Sequence, residues 1–109
     1  MDTIQLQEEF KILLLNRNNR VLGIYSLSKG GIAGTVVDIK LIMAITLTCA
    51  ASSIILCHNH PSGNLKPSQQ DISITDQIKS AGKLLDIKVQ DHIIMTQHGY
   101  YSFADEGHL

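Results

Sequence analysis

The chain has 109 residues, of which 44% are hydrophobic and 17% are charged, and its formal net charge is -1. The length suits a single domain over residues 1–109, and the apolar content can supply a packed core, which excludes a chain that is disordered throughout. A net charge near zero excludes a strongly basic protein that coats nucleic acid, and two cysteines are too few for a disulfide-stapled secreted scaffold.

The first part of the chain predicts a β-hairpin over residues 9–28. Residues 10–15 form an apolar run of strand length, and residues 20–28 resume the pattern. The asparagine-rich segment 16–19 between them is typical of a turn, because asparagine tolerates left-handed conformations. The glycines of segment 30–34 do not match a phosphate-binding loop, and we expect a mobile flap near the functional site there.

The middle of the chain predicts a helix followed by a central strand. Asp38 can cap a helix that runs to about Ala51, and because that helix is apolar nearly all round, we expect it to be buried on most sides. The continuous apolar run inside residues 53–58 is typical of a buried strand. The uncharged stretch 41–57 is short for a membrane span of ~20 residues and is interrupted by hydroxyl side chains, so we expect no membrane insertion. Since residues 1–5 do not resemble a signal peptide, we expect a cytoplasmic protein.

The last part predicts an amphipathic helix over residues 68–85, a strand over residues 87–96 and a final strand over residues 100–103. The turn at residues 97–99 would let the last two strands pair. The order β-β-α-β-α-β-β therefore indicates an α/β domain with a mixed sheet and helices packed on it.

One segment carries residues suited to metal chemistry, and it begins His58-Asn59-His60-Pro61. His58 and His60 lie two positions apart at the end of a predicted strand, so both side chains point to the same face. Ser68 stands at the natural N-cap of the next helix, which places Asp71 at the third helical position. Two imidazole nitrogens and one carboxylate, with a fourth position open to water, form the donor set of a catalytic zinc site.

Simpler interpretations of the same residues remain open. Ser68-x-x-Asp71 is also a helix-capping motif, and the two roles of Asp71 are compatible. His92 lies within a predicted strand, where we favour a structural or rim position over a metal ligand. Cys49 and Cys57 are interpreted as small buried hydrophobic residues.

These residues resemble a known family. His58-x-His60, seven residues, and then Ser68-x-x-Asp71 match the JAMM (MPN-plus) metalloprotease pattern. The stretch from His58 to Gly63, the sequence Asp-His-Ile-Ile-Met at residues 91–95, and the closing Tyr-Tyr-Ser-Phe look like the bacterial RadC group, and the resemblance covers roughly residues 7–109.

The resemblance implies a JAMM/MPN-type fold, a curved mixed sheet flanked by helices with one packed on either side and cytidine-deaminase-like layering. Full-length RadC proteins also carry an N-terminal helix-hairpin-helix region. Because the sequence shows none, we expect a stand-alone or truncated catalytic-type domain.

The resemblance also assigns roles to individual residues. It implies that His58, His60 and Asp71 bind one Zn²⁺ per chain and that Ser68 steadies the oxyanion of a tetrahedral intermediate. JAMM proteins also need an upstream glutamate as general base. RadC-like sequences show E-x-F near the first strand, which favours Glu8 over Glu9, and strand alternation allows only one of the two to face the site.

The expected function is zinc-dependent hydrolysis of a peptide or isopeptide bond in a peptide or protein substrate. The alternative is a binding module of DNA repair or mobile elements with a structural or vestigial metal site. The sequence gives that alternative little support, because no run of Lys and Arg is visible. A purely structural or protein-interaction domain is a third possibility, and the oligomeric state stays open.

Overall fold

The computed structural model describes residues 8–29 and 37–109. Within these ranges the chain forms a five-stranded mixed sheet with the strand order β2-β1-β3-β4-β5, in which β3 and β4 are parallel and the other neighbours antiparallel. The predicted α/β class is confirmed. The predicted flap at segment 30–34 lies outside the described residues. The elements in chain order are β1 (Glu9–Leu15), β2 (Val21–Lys29), α1 (Ile39–Thr48), β3 (Ser53–Asn59), α2 (Gln69–Leu84), β4 (Lys88–Thr96) and β5 (Gly99–Ser102).

The predicted hairpin is present, and its turn is built by asparagine. The Oδ1 atom of Asn16 accepts hydrogen bonds from the backbone N–H groups of Asn18 and Arg20, at 2.9 and 3.0 Å. Asn19 adopts a left-handed conformation with φ of 60°, which asparagine tolerates better than most residues. Side-chain chemistry in the turn therefore fixes the register of β1 against β2.

Helix α1 differs from its prediction in length and in burial. It ends at Thr48, short of Ala51, because Ala50 adopts a left-handed conformation that cannot continue a helix. Leu41 and Leu47 are 44% and 54% exposed, so the expectation that the helix is buried on most sides is wrong. One stripe of the helix packs on the sheet, and no described residue covers the opposite stripe. The buried residues are Ile42, Met43 and Thr46.

Both helices pack on the same face of the sheet, which differs from the expected helix on either side. The even-numbered residues of β1 and β3 share one buried cluster with residues of α1 and α2. Tyr25, the cross-strand partner of Ile12, contacts Cys49 just beyond α1, which places α1 on this same face. On the opposite face, Leu13, Ile55 and Cys57 stay partly exposed. The cluster contains Phe10, Ile12, Leu14, Ile42, Met43, Ile54, Leu56, Ile78, Ile87 and Val89.

The connection from β3 through α2 to β4 brings the carboxyl end of β3 close to the first turn of α2. Because β3 and β4 are parallel, the chain must cross over, and α2 begins close to the carboxyl end of β3. The backbone N–H of His60 donates to the carbonyl of Met95 at 2.9 Å, which continues the pairing past the end of β3. In the described ranges, no helix has the length and apolar character needed to cross a membrane.

Candidate metal centre

The three predicted ligands meet where β3 ends and α2 begins. The Nε2 atom of His58 lies 3.6 Å from Oδ1 of Asp71, and the Nε2 atom of His60 lies 3.1 Å from Oδ2 of the same carboxylate. One donor atom from each residue lies within 4.8 Å of the other two. His58 and Asp71 are buried, at 4% and 8% exposed. The structure thus brings together the residues that the spacing of the motif indicated.

Each imidazole is held by its surroundings. The ring of His58 stacks on Phe10, with ring centroids 5.7 Å apart. The Nδ1–H of His60 donates to the backbone carbonyl of Asn64 at 2.7 Å. Because a carbonyl oxygen can only accept, Nδ1 of His60 carries the proton and Nε2 is directed to Asp71. Strand packing therefore orients one histidine, and the loop before α2 orients the other.

Asp71 is positioned by a capping box at the start of α2. The hydroxyl of Ser68 accepts from the backbone N–H of Asp71 at 3.0 Å, and Oδ2 of Asp71 accepts from the backbone N–H of Ser68 at 2.8 Å. The capping role considered from the sequence is therefore present. It is compatible with metal binding, because a carboxylate has several lone pairs and the N–H of Ser68 uses only one of them.

The two upstream glutamates lie in different surroundings. Oε1 of Glu8 stands 3.8 Å from Nε2 of His58, and Glu8 lines the cavity in front of the donor group. Oε1 of Glu9 lies 3.5 Å from Nζ of Lys11 instead. The geometry places Glu8, and not Glu9, beside the proposed ligands.

His92 lies behind His58 and not among the donor atoms. It is fully buried, and its Nε2 atom is 3.4 Å from Nδ1 of His58. Both cysteines are free and half-buried, and so less buried than the small buried hydrophobic residues that the sequence predicted. Cys57 is not part of the donor group.

The pKa values of all three donor residues are shifted from their usual values. Burial lowers the pKa of His58 below its usual range, more than the nearby Asp71 raises it. The hydrogen bond with Asp71 raises the pKa of His60, against the effect of burial. Burial alone would raise the pKa of Asp71, but the hydrogen bonds from His60 and Ser68 outweigh it and hold this pKa well below its usual range. The carboxylate therefore stays ionised and draws positive charge toward it.

This arrangement fits a metal cation. His58 and His60 each direct Nε2 at one carboxylate, so two basic nitrogens and an anionic group converge in a largely buried place. Such groups are costly together unless a cation neutralises them. Two imidazole nitrogens and one carboxylate are also the ligand types that zinc prefers at catalytic sites.

A cavity of about 690 Å³ opens in front of the donor group. Its volume lies in the range of small-ligand pockets, about 300–1,000 Å³. Side chains from β1, the loop after β3 and the first turns of α2 line it. Among them are Glu8, Phe10, His58, His60, Pro61, Ser68, Gln70, Asp71 and Gln77.

A second cavity of about 950 Å³ lies at the other end of the sheet, where β3 and β4 begin. Four of the nine cationic side chains line it, together with the carboxylate of Asp86. The sequence showed no Lys or Arg run, because these residues come from the β1–β2 turn, from α2 and from the start of β4. We call this surface the basic groove, and its cationic residues are Arg17, Lys79, Lys83 and Lys88.

Comparison with known proteins places these features in a family. A family model described as RadC-like JAB domain matches residues 1–108. A UPF0758 protein of Flavobacterium johnsoniae is 56% identical over 100 residues, which cover 92% of this chain and 44% of that protein. UPF0758 proteins of Porphyromonas gingivalis and Clostridium beijerinckii are 46% and 41% identical, over 94% and 93% of this chain. The chain spans less than half the length of these relatives, at 46% and 44% of the latter two.

Proposed function

The chain belongs to the RadC family, as a RadC-like JAB domain, and on that premise we propose that it is a metal-dependent hydrolase of peptide or isopeptide bonds. One observation carries the proposal. Two histidine nitrogens and one carboxylate converge within 4.8 Å at the edge of a 690 Å³ cavity that also contains the carboxylate of Glu8. JAB domains include metalloproteases, and the donor set present here is the one that such chemistry requires.

His58, His60 and Asp71 would hold the metal, and zinc suits this donor set best, although ligand type also admits iron, manganese or nickel. When bound, the metal lowers the pKa of water and polarises the carbonyl that is attacked. The lowered pKa values of Asp71 and His58 support this assignment, because an ionised Asp71 and a neutral His58 are the ligand forms that bind metal.

Glu8 is the proposed general base. Its carboxylate oxygen, 3.8 Å from Nε2 of His58, can take a proton from the attacking water and return it to the nitrogen of the leaving amine. The water oxygen forms a bond to the carbonyl carbon, and the C–N bond then breaks. The products are a carboxylate and an amine, so no other reactant is needed.

Ser68 is the proposed hydrogen-bond donor to the oxyanion, and its role as helix cap does not use the hydroxyl proton that this donation requires. The hydroxyl oxygen accepts the N–H of Asp71 with one lone pair, and its own proton remains available to donate. Ser68 lines the cavity, so that proton can reach the oxygen of a bound carbonyl group.

Metal content tests the proposal first. Untagged protein purified without chelators should contain about one zinc per chain, and His60→Ala should lose it. His98→Ala is the matched control, because His98 is exposed and outside the donor group. A wild-type protein without metal, even after zinc is added back, would overturn the proposal.

Hydrolysis of a peptide library tests the proposed base. Glu8→Gln should keep the metal and lose about 100-fold or more in rate, since general base catalysis contributes ~10²–10⁴-fold. Glu9→Gln is the control and should change the rate little. Equal loss of rate in both variants would argue against the assignment of Glu8.

The free cysteines suit a reducing compartment, and we place this activity in the cytoplasm.

The basic groove favours a second candidate function, binding of a nucleic-acid backbone. Four cationic side chains face one carboxylate there, whereas the net charge of the whole chain is -1. If all four contact phosphates, affinity for single-stranded DNA should fall by about 50-fold between about 50 and 200 mM salt. Fluorescence anisotropy of a labelled oligonucleotide measures this affinity. The double variant Lys79→Glu/Lys83→Glu should weaken binding, and Lys40→Glu, outside the groove, is the control. An absence of binding at the lower salt concentration would remove this candidate.

A further inference from the structure

His92 is a buried titratable group that the proposed chemistry does not use. It lies in β4, and its side chain is fully buried. One face of its ring stacks on Phe103, with centroids 4.6 Å apart and planes 8° from parallel. Phe10 approaches the ring edge-on at 5.7 Å. Two aromatic rings therefore fix the plane of the imidazole, so its two nitrogens point in fixed directions.

The protonation of His92 follows from the partner of its first nitrogen. The hydroxyl of Thr75 lies 2.6 Å from Nδ1 of His92 and 2.7 Å from the backbone carbonyl of Asp71. A hydroxyl has one proton, and a carbonyl oxygen can only accept, so Thr75 donates its proton to Asp71. The hydroxyl must then accept from His92, and Nδ1 of His92 carries a hydrogen.

The tautomer of His92 in turn determines the tautomer of His58. The two nitrogens of the fully buried His92 face the hydroxyl of Thr75 and the ring of His58, and a neutral ring with its hydrogen on Nδ1 has a lone pair on Nε2. This lone pair faces Nδ1 of His58 at 3.4 Å, so Nδ1 of His58 donates. Nε2 of His58 then bears its lone pair, on the side where Asp71 and Glu8 lie.

We propose that Thr75 and His92 are positioning residues that hold His58 as the Nδ1–H tautomer, so that its Nε2 lone pair is committed to the metal. Metal-binding histidines generally donate their second N–H to a carboxylate, a backbone carbonyl or water. Here an imidazole takes that place. The chain of hydrogen bonds ends on the backbone carbonyl of Asp71, so it joins a ligand on β3 to a ligand on α2.

This inference rests on the proposed metal site, but it makes a claim about the metal-free protein that can be measured alone. Long-range ¹H–¹⁵N correlation spectra of histidine side chains distinguish the two neutral tautomers. In chelator-treated wild-type protein near pH 8, we expect both His58 and His92 to show a protonated Nδ1 and an unprotonated Nε2. A protonated Nε2 on either ring would overturn the proposal, whether or not the protein binds metal.

Variants of Thr75 connect the tautomer to the metal. Thr75→Val keeps the shape of the side chain and removes the hydroxyl, while Thr75→Ser restores the hydroxyl. We expect Thr75→Val to lose about 10- to 100-fold in Zn²⁺ affinity in a chelator competition, with loss of the Nδ1–H pattern at His92. Thr75→Ser should stay within about threefold of wild type, because it keeps the hydrogen bond.

The outcomes separate the two proposals. Wild-type Zn²⁺ affinity in Thr75→Val, with the His58 tautomer unchanged, would overturn the positioning role and leave the metal site standing. A wild-type protein that fails to bind Zn²⁺ would overturn the proposed function, and the tautomers of the metal-free protein would still decide the hydrogen-bond chain. If Thr75→Val does not fold, the wild-type spectra alone give the decision.

Discussion

At the scale of single residues, Gly82 shows how closely α2 approaches the chain that follows it. The backbone N–H of Ile87 donates to the carbonyl of Gly82 at 2.7 Å. A Cβ atom on Gly82 would lie 2.5 Å from the carbonyl oxygen of Ile87, which is backbone and cannot rotate away. Position 82 therefore requires glycine because no room is left for a Cβ atom, and not because of an unusual backbone φ.

Gly82→Ala should lower the free energy of unfolding by about 1–3 kcal/mol, which is the usual cost of overpacking a tight contact. Urea unfolding measures the change. Gly23→Ala is the matched control, because its added Cβ would meet the far end of the Tyr25 ring at 3.2 Å, and that side chain can move. A Gly82→Ala variant as stable as wild type would contradict the argument.

His92 should make the metal-free protein sensitive to mild acid. Burial lowers the pKa of His92 from 6.5 to about 3, so the unfolded chain takes up a proton at a pH where the folded chain does not. Stability should therefore fall as the pH drops from 6.5 toward 3, by ~1.4 kcal/mol per unit of pKa difference at most. The pKa of Asp71 is also lowered, but an aspartate contributes only near and below its unfolded value of 3.8.

Urea unfolding of the chelator-treated protein between pH 6.5 and 4 tests this effect. His92→Gln keeps a polar side chain of similar reach and cannot titrate, so its stability should change less over this interval than that of wild type. His58 and His60 are present in both proteins, so the comparison isolates the part of the pH dependence that requires His92, including its contact with His58. Equal pH dependence in the two proteins would assign the effect elsewhere.

At the scale of elements, the capping box of α2 stabilises the folded chain independently of any catalytic role of Ser68. Ser68→Ala removes the acceptor for the N–H of Asp71 and should cost about 1 kcal/mol, within the range of ~0.5–2 for N-cap substitutions. Thermal unfolding of the metal-free protein measures this. Ser80→Ala, at an exposed position within α2, should leave stability unchanged or raise it slightly. An equal effect of both substitutions would show that the cap contributes little.

The elements could be predicted where local chemistry decides them. Asparagines fix the β1–β2 turn, and the capping residue with its periodic apolar face fixes α2. The burial of α1 could not be predicted from its own residues. An all-apolar helix indicates burial, but whether a second layer covers Leu41 and Leu47 depends on the rest of the fold. The placement of both helices on one face of the sheet also depends on the rest of the fold, so it could not be predicted from the residues of either helix.

At the scale of the whole molecule, the parts of the site that lie close in sequence could be predicted, and those that lie far apart could not. His58, His60 and Asp71 are joined by one strand, one loop and one helix turn, so their spacing nearly determines their meeting. The contact of Thr75 with His92 joins α2 to β4, and no spacing rule indicates it. The basic groove collects charges from three separate segments, so a linear search for a charge run misses it.

The edge strand β2 offers a surface through which two copies of the chain can associate. Within the described residues β2 pairs with β1 alone, and Val21, Leu22 and Ile24 are 55%, 48% and 61% exposed. Residues 21–28 contain no charged residue and no proline, so the only charge that β2 itself offers to protect this edge is Lys29 at its end, together with two irregularities in its pairing with β1. Because an antiparallel edge is complementary to itself, two copies can pair through β2 about a twofold axis.

We expect sedimentation velocity to show reversible dimers as the protein concentration rises. Ile24→Lys should raise the dissociation constant by about tenfold or more, because pairing would bury an ammonium group without a partner. Leu84→Lys is the matched control: Leu84 is 88% exposed at the end of α2, away from this edge, and its substitution should leave the dissociation constant unchanged. If wild type stays monomeric at every concentration, or if both variants weaken association equally, β2 is not the surface that joins two copies.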